Sequence, residues 1–382
     1  MISNYKSSKE SHNKTDSEVL EQAKKHLRET YHDFNPLLAK EKLWELNKID
    51  LGKETVRQLM IKENLWQPRK KHEAKKHFWR ERKDNYGEMQ QFDGSYHNWV
   101  EGRNEAEVGP EQCLLLSVDD ATGKITKAEF DFNEGVVPVF RFWKEYVAAH
   151  GKPVSIYLDK FSTYKVNHKN ATDNQELMTQ FQRAANQLGI KLITAHSPQA
   201  KGRVEKMNGT LQRRLVKEMR LAGINTIADA NTFLREVFIP KFNAQFAVVA
   251  KKEADLHQAL DGKKIQQLPH IFSIQSQRTV CNDYTIRFHN TYCQLSEVQP
   301  TTVYKKDVVV IEEHLDGQVK ISLRNHYLNY SVLPERPAKE LDVRVAALTG
   351  KKTVGWKPPQ GHPWRKPFFI NKKQPVLLVA KS

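Results

Sequence analysis

Three carboxylates stand out by where they fall in the chain. Asp93 closes the run Met89-Gln90-Gln91-Phe92-Asp93, Asp159 follows the apolar pair Tyr157-Leu158, and Glu205 ends the string Ser197-Pro198-Gln199-Ala200-Lys201-Gly202-Arg203-Val204-Glu205. Carboxylates are hard oxygen ligands, and Mg2+ is held through a few of them with water and substrate phosphate completing its shell. Two such ions about 4 Å apart activate an attacking oxygen and stabilise a leaving one. The set therefore points to phosphoryl transfer on a nucleic-acid backbone, with Mn2+ as a substitute ion. The separations, 159 − 93 = 66 and 205 − 159 = 46 positions, exceed any local motif. Only a fold brings these residues together.

The surrounding pattern supplies one. Cys113 to Val118 and Val154 to Leu158 are short apolar runs, and Ile125 to Phe132 alternates after the turn Thr122-Gly123-Lys124, so all three read as strands. Helical periodicity predicts helices over Val136 to Ala149, Glu176 to Leu188 and Arg203 to Leu221, with Lys191 to Thr194 as a further strand. The resulting order is β-β-β-α-β-α-β-α. In open α/β sheets, functional groups gather at the carboxyl ends of strands. Asp93 and Asp159 each read as the end of such a strand, and Glu205 falls in the first turn of a helix that follows another.

Residues 89 to 250 resemble the integrase-type catalytic core of DDE transposases, which has an RNase H-like fold, and specifically bacterial insertion-sequence transposases of the ISNCY type. The resemblance rests on Asp93 to Trp99, Val118 to Gly123, Leu158-Asp159 and Ser197 to Glu205 continued by Asn208 to Gln212. It extends into Asn243 to Ala247 and Ala254 to His257. It implies that Asp93, Asp159 and Glu205 are the catalytic and metal-binding triad. It also implies that water cleaves at the element end and that the freed 3′-hydroxyl then attacks target DNA. One active site would serve each end, so a homodimer or higher oligomer on DNA is expected. A further helix-turn-helix is implied ahead of this region. The 45 residues between Asp159 and Glu205 include the breaker-rich stretch Lys165 to Gln175, which reads as a surface loop able to absorb extra length.

Asp119 and Asp120 also follow an apolar strand, but their neighbours Ala121 to Lys124 read as a hairpin turn, where Asp is expected on conformational grounds. Asp119 alternatively supports the metal site from behind. Lys201 and Arg203 either grip phosphates beside the reacting one or are ordinary solvated charge.

Charge fits a polyanionic partner. The chain carries a formal net charge of +16 with a pI near 9.5, and the excess is concentrated. Residues 68 to 83 hold eight Lys or Arg against two acids, residues 191 to 220 eight against two, and residues 337 to 382 ten against two. A protein tracking duplex DNA by counterion release distributes charge in this way. Cys113, Cys281 and Cys293 form no disulfide framework, and the absence of a signal-like start or an 18-residue apolar run predicts a cytoplasmic protein with no membrane partner.

The whole reads as a multidomain α/β protein. Residues 1 to 15 are polar, and 16 to 67 carry three helices: Ser17 to Tyr31, Pro36 to Leu46 capped by Asn35, and Lys53 to Asn64 after the bend at Lys48 to Gly52. The last two match a helix-turn-helix, with Lys53, Thr55, Arg57, Gln58 and Lys62 as candidate DNA contacts on the recognition helix. A basic linker spans 68 to 88, the core 89 to 250 with a closing helix over Thr226 to Ala244, and a polar connector 251 to 270. Residues 271 to 336 read as a small SH3-like β-barrel, with hairpins turning at His289-Asn290 and Asp316-Gly317 and a strand over Tyr327 to Val332. Residues 337 to 382 read as an extended basic tail containing Pro and Trp. Two rivals remain: a catalytically silent DNA-binding protein derived from a transposase, and a nuclease without strand transfer.

Overall fold

The computed structural model describes residues 15–68, 81–159, 174–195, 202–333, 347–348 and 360–362. Most of the basic linker, most of the Lys165 to Gln175 stretch, Ser197 to Lys201 and nearly all of the tail lie outside these. The chain divides into two compact units at about Ile274.

The first unit opens with three helices: α1 (Ser17–Glu29), α2 (Pro36–Asn47) and α3 (Lys53–Lys62). Asn35 caps α2, its Oδ1 accepting from the backbone N–H of Leu37 and Leu38, and Pro36 takes the first helical position, where its missing N–H costs nothing. Lys48 ends α2 in the left-handed region at φ 61°, which turns the chain towards α3. Leu27, Phe34, Leu38, Leu43, Val56 and Met60 bury a core of their own.

The central part follows: β1 (Asn85–Tyr86), β2 (Met89–His97), the one-turn helix α4 (Glu105–Val108), β3 (Gln112–Asp119), β4 (Ile125–Asp131), α5 (Val136–His150), β5 (Ser155–Asp159), α6 (Asn174–Leu188), β6 (Lys191–Ala195) and α7 (Gly202–Leu221). Five of these strands form a mixed sheet in the order β4-β3-β2-β5-β6. The three consecutive strands pair antiparallel, while β2/β5 and β5/β6 are parallel. Alternation along β3 divides the core: Cys113 and Leu115 pack with α5 and α6, while Leu114, Leu116 and Val118 pack with α7 and the helices after it. Every residue of β3 is buried, as a strand covered on both faces requires.

The helix expected over residues 226 to 244 forms as α8 (Ile227–Phe233), a π-helical stretch (Leu234–Phe238) and α9 (Ile239–Phe246). Pro240, in the first turn of α9, has no N–H to return to the preceding turn, and the widened stretch sits directly before it. The connector carries more structure than its composition suggested. Its strand β7 (Lys252–Asp255) pairs in parallel with β1, and α10 (Gly262–Ile271) starts at Asp261, whose carboxylate accepts from Lys264 N at 2.7 Å. All four β7 residues are exposed, so no apolar alternation could announce the strand.

The second unit contains β8 (Ile274–Thr279), β9 (Thr285–Phe288), β10 (Thr291–Leu295), β11 (Val303–Tyr304), β12 (Val308–Glu313), β13 (Val319–Leu323), β14 (His326–Tyr327), β15 (Tyr330–Leu333) and β16 (Ala347–Leu348). Both predicted hairpins form, β9/β10 and β12/β13. Among the described residues no closed barrel is shown: the strands fall into sheets of four (β14-β13-β12-β8), three (β15-β10-β9) and two (β11-β16). The strand predicted over Tyr327 to Val332 splits because Leu328 turns into the core while Asn329 donates from its backbone to Gln299 Oε1. Its two halves then join different sheets.

Candidate active site

The pairing of β2 with β5 sets the first two carboxylates. Met89 lies opposite Ser155, Gln90 opposite Ile156 and Gln91 opposite Tyr157, a constant offset of 155 − 89 = 66 positions. Asp93 and Asp159 are separated by the same 66. The recorded pairing stops at Gln91 and Tyr157; carried two residues further, the same offset would set Asp93 level with Asp159 on adjacent parallel strands, which run about 4.8 Å apart. Asp93 does not close its strand, as the sequence suggested. It sits mid-strand opposite Leu116 of β3, because Gly94 to Tyr96 continue pairing with the apolar residues Leu115, Leu114 and Cys113, and His97 with Gln112. What ends near Asp93 is the parallel ladder to β5, and Asp159 does close β5.

Helix α7 supplies the third acid. Along it, Val204 N donates to Gln91 Oε1 (3.2 Å), Asn208 Nδ2 to Asp93 Oδ2 (2.8 Å) and Gln212 Nε2 to Ser95 Oγ (3.2 Å). Steps of four on the helix thus meet steps of two on the strand. The match is geometric, since four helical residues rise about 6 Å and two strand residues about 6.7 Å. Glu205 is exposed in the first turn of α7, where the helix dipole favours a negative charge, and lies three residues before Asn208. Leu211 and Leu215 continue the buried face that Val204 and Asn208 begin.

Asp119 and Asp120 are both fully buried. Asp119 accepts from Gly87 N, Gln90 Nε2, Thr122 N and Thr122 Oγ1 at 2.7–3.1 Å, which fills both oxygens and makes it the turn former that its neighbours suggested. Asp120 accepts from Lys83 N (2.8 Å), Gln91 Nε2 (2.5 Å) and Arg203 Nη1 (2.6 Å). Gln91 therefore links Asp120 to the start of α7, and Arg203 reaches the same carboxylate. Sequence reasoning missed Gln91, Asn208 and this role of Asp120. The available signal was the pair Gln90-Gln91, two amides inside an otherwise apolar strand start.

The other predicted contacts lie apart from this cluster. On α3, Lys53, Gln58 and Lys62 are exposed, and Thr55 and Arg57 are half-buried. Glu54 accepts from Arg57 Nε and Gln58 Nε2, both at 2.8 Å, and these bonds hold its carboxyl down at about 2. Lys201 lies outside the described residues. Among the described residues no three acidic, His or Cys side chains form a metal-sized group; the side chain of Asp159 is not among those described. No described helix is long and apolar enough to cross a membrane.

No protein-family model matches the chain. Among solved structures, it overlaps a chain of the simian T-cell lymphotropic virus intasome in complex with PP2A regulatory subunit B56 gamma at 14% identity, covering 82% of this chain and 99% of that one, with a TM-score of 0.34. It overlaps the HTLV-2 integrase catalytic core domain in complex with magnesium at 17% identity, covering 40% of this chain and 89% of that one, with a TM-score of 0.29. These overlaps are too loose to fix a shared fold. Curated relatives are closer. The candidate transposase y4bF of Sinorhizobium fredii is 38% identical over 328 residues, 86% of this chain and 69% of that protein. The transposase for insertion sequence IS1202 of Streptococcus pneumoniae is 30% identical over 366 residues, 95% of this chain and 70% of the relative. With identity of that level running through most of both proteins, the chain belongs to the transposases of bacterial insertion sequences.

Proposed function

We propose that this chain is a DDE-type DNA transposase, in which an RNase H-like core uses Asp93, Asp159 and Glu205 to cut at transposon ends and to transfer the 3′-hydroxyl into target DNA. The observation that carries the reading is the 66-position offset between β2 and β5, which equals the spacing of the two aspartates, while Asn208 joins Asp93 to the helix bearing Glu205. A turn former or helix cap needs no such coincidence.

The donor set suits Mg2+, or Mn2+ in its place, because carboxylates are hard oxygen ligands. Asn208 Oδ1, buried beside Asp93, has no hydrogen-bond partner among the described residues. An amide oxygen only accepts, so it suits a water or hydroxyl donor arriving with substrate. Asp93, Asp159 and Glu205 would hold two ions, which when bound stabilise charge on the attacking and leaving oxygens of a phosphodiester. The chain's remaining residues orient. Asn208 Nδ2 fixes the Asp93 carboxylate without adding a positive charge, so the site stays attractive to cations. Arg203 and Gln91 set the first turn of α7 against Asp120, and Lys201 with Arg203 forms the proposed phosphate contact. Exposed Lys53, Gln58 and Lys62, with Thr55 and Arg57, form the base-reading face of a helix-turn-helix. The partners are double-stranded transposon ends and target DNA, bound by a homodimer or higher oligomer.

Asp93→Asn, Asp159→Asn and Glu205→Gln preserve shape and remove ligand charge. Each should reduce Mg2+-dependent cleavage and strand transfer by roughly a thousandfold or more, with DNA binding and thermal unfolding unchanged. A pre-cut end with a free 3′-hydroxyl, supplied with a target plasmid, separates the rivals: a nuclease cuts without joining, and a silent binder does neither. Strand transfer at the full rate by any of the three variants would sink the assignment.

A further inference from the structure

The three N-terminal helices are packed against the C-terminal half of α7, and the contact is ionic and buried. Lys42 Nζ of α2 lies 2.7 Å from Glu218 Oε2 of α7, with side chains 9% and 5% exposed. Glu218 also accepts from Arg214 Nε at 2.9 Å, and Arg214 is paired in turn with Glu41 of α2. At the edge, Arg220 donates to both oxygens of Asp33 at 2.8 Å. Charges alternate along the series Glu41, Arg214, Glu218, Lys42, so each buried ion faces an opposite one. Leu221 adds an apolar contact to the core of the three helices.

Separating α2 from α7 takes apart two buried ion pairs at once, Lys42–Glu218 and Glu41–Arg214, so the network favours the docked geometry over partial separation. The exposed residues of α3, Lys53, Gln58 and Lys62, are not used in it and stay available while α2 is docked. At the other end of α7, Val204 is the first residue held to β2, and it precedes Arg220 by 220 − 204 = 16 positions. The helix is a single unbroken element between these two attachments, and Glu205 lies beside the first of them.

We propose that this network makes the three N-terminal helices and α7 one rigid piece, so that the docked interface, rather than the segment joining them in sequence, sets the distance between the bases read by α3 and the phosphodiester cut beside Glu205. The proposal rests on the DNA-reading and cleavage roles proposed above for its consequence at the cut site. The docking itself does not depend on them.

Two measurements on the full chain keep these apart. The first needs no DNA: spin labels on Lys25→Cys and Arg235→Cys, both exposed positions, in a Cys281→Ser background, report the distance between the helices and the core. A single narrow distance is expected, unchanged when about ten Gly/Ser residues are inserted between residues 69 and 80, and broadened in Glu41→Ala/Lys42→Ala. A broad distribution without substitutions at the network, or one that broadens on insertion alone, overturns the proposal whatever the enzyme does. The second maps cut positions on labelled end DNA with Mg2+. The insertion should leave a single cut position and a rate within about twofold, whereas Glu41→Ala/Lys42→Ala should scatter the cuts over several nucleotides while end affinity changes by less than about threefold. A single cut position retained by that double variant, with its label distance broadened, overturns the ruler role. Failure of the unsubstituted chain to cleave at all counts against the proposed function, and the label distances still decide the docking.

Discussion

Asp120 and Asp119 are neighbours with different work, and substitution should separate them. Asp120→Asn keeps the size of the side chain but removes the counter-charge of Arg203, whose side chain is 26% exposed, so water takes over part of the loss. The expected cost in stability is about 1–2 kcal/mol. The first turn of α7 loses its brace, so the rate of strand transfer should fall about tenfold with DNA affinity unchanged. Asp119→Asn should behave in the opposite sense. Four donors converge on its two oxygens, and an amide nitrogen in place of one oxygen faces donors with a donor. Unfolding in urea should show a loss of about 2–4 kcal/mol, with specific activity of the remaining folded protein close to normal. Equal effects of the two substitutions on stability, and none on rate from Asp120→Asn, would show that Asp120 does not brace the helix. Of the proposed site, the sequence offers the three acids as candidates through their neighbours. It could not show the 66-position offset between β2 and β5, because pairing is a property of two strands far apart in the chain, nor the use of Gln91, whose type alone does not distinguish a buried bridge from a surface amide.

Strong local patterns survive into the fold, and weak ones do not. Helices α2, α5 and α7 lie within a residue or two of the stretches their periodicity predicted, since each has a cap or an apolar stripe of its own. Strand β2 was legible only as far as Asp93 because its second half, Gly94 to His97, is a strand by virtue of its partner β3. Strand β7 was illegible for the same reason, being held by β1 and by the approach of Leu256 to His257 to the core. That approach makes a test. Gly87 has φ +77°, and a Cβ there would come within 2.8 Å of the backbone N of His257, whose ring bonds both Tyr146 and Asp255. Gly87→Ala should therefore destabilise the first unit by about 1–3 kcal/mol, read from denaturant unfolding, while an alanine at Gly223, where no atom lies within 4 Å of the added carbon, carries only the strain of its positive φ. On α3 the sign of a pH effect follows from Glu54. Its carboxyl lies at about 2 instead of 4.5, so the Arg57 and Gln58 bonds contribute fully above pH 4.5 and are lost as pH falls through about 2. A carboxyl-carbon NMR titration should give a Glu54 midpoint near that value, moving back towards 4.5 in Arg57→Gln; an unmoved midpoint would show that Arg57 is not what holds it down.

Across the whole chain, charge is the property that would link the separate parts to the proposed DNA partner. Each unit has its own apolar core, so neither depends on DNA to fold. Joining two ends in one event needs two active sites, and the mass of the complex with end DNA should correspond to at least two chains bridging two duplexes. Activity in concerted insertion from a complex of one chain and one end would refute this. The basic residues Lys351, Lys352, Lys357, Arg365, Lys366, Lys372 and Lys373 lie outside the described residues, and their charge suits phosphate neutralisation, which positions a protein on DNA without reading bases. Deleting residues 337 to 382 should then weaken binding to all duplexes alike and flatten the dependence of log affinity on log salt by roughly 0.9 for each phosphate that is no longer neutralised. Sequence preference should persist, since its proposed source is α3. Titrations over several salt concentrations, with end and unrelated duplexes of equal length, measure both quantities at once. An unchanged slope would mean that the tail does not touch phosphate, and loss of preference at constant overall affinity would move base recognition from α3 to the tail.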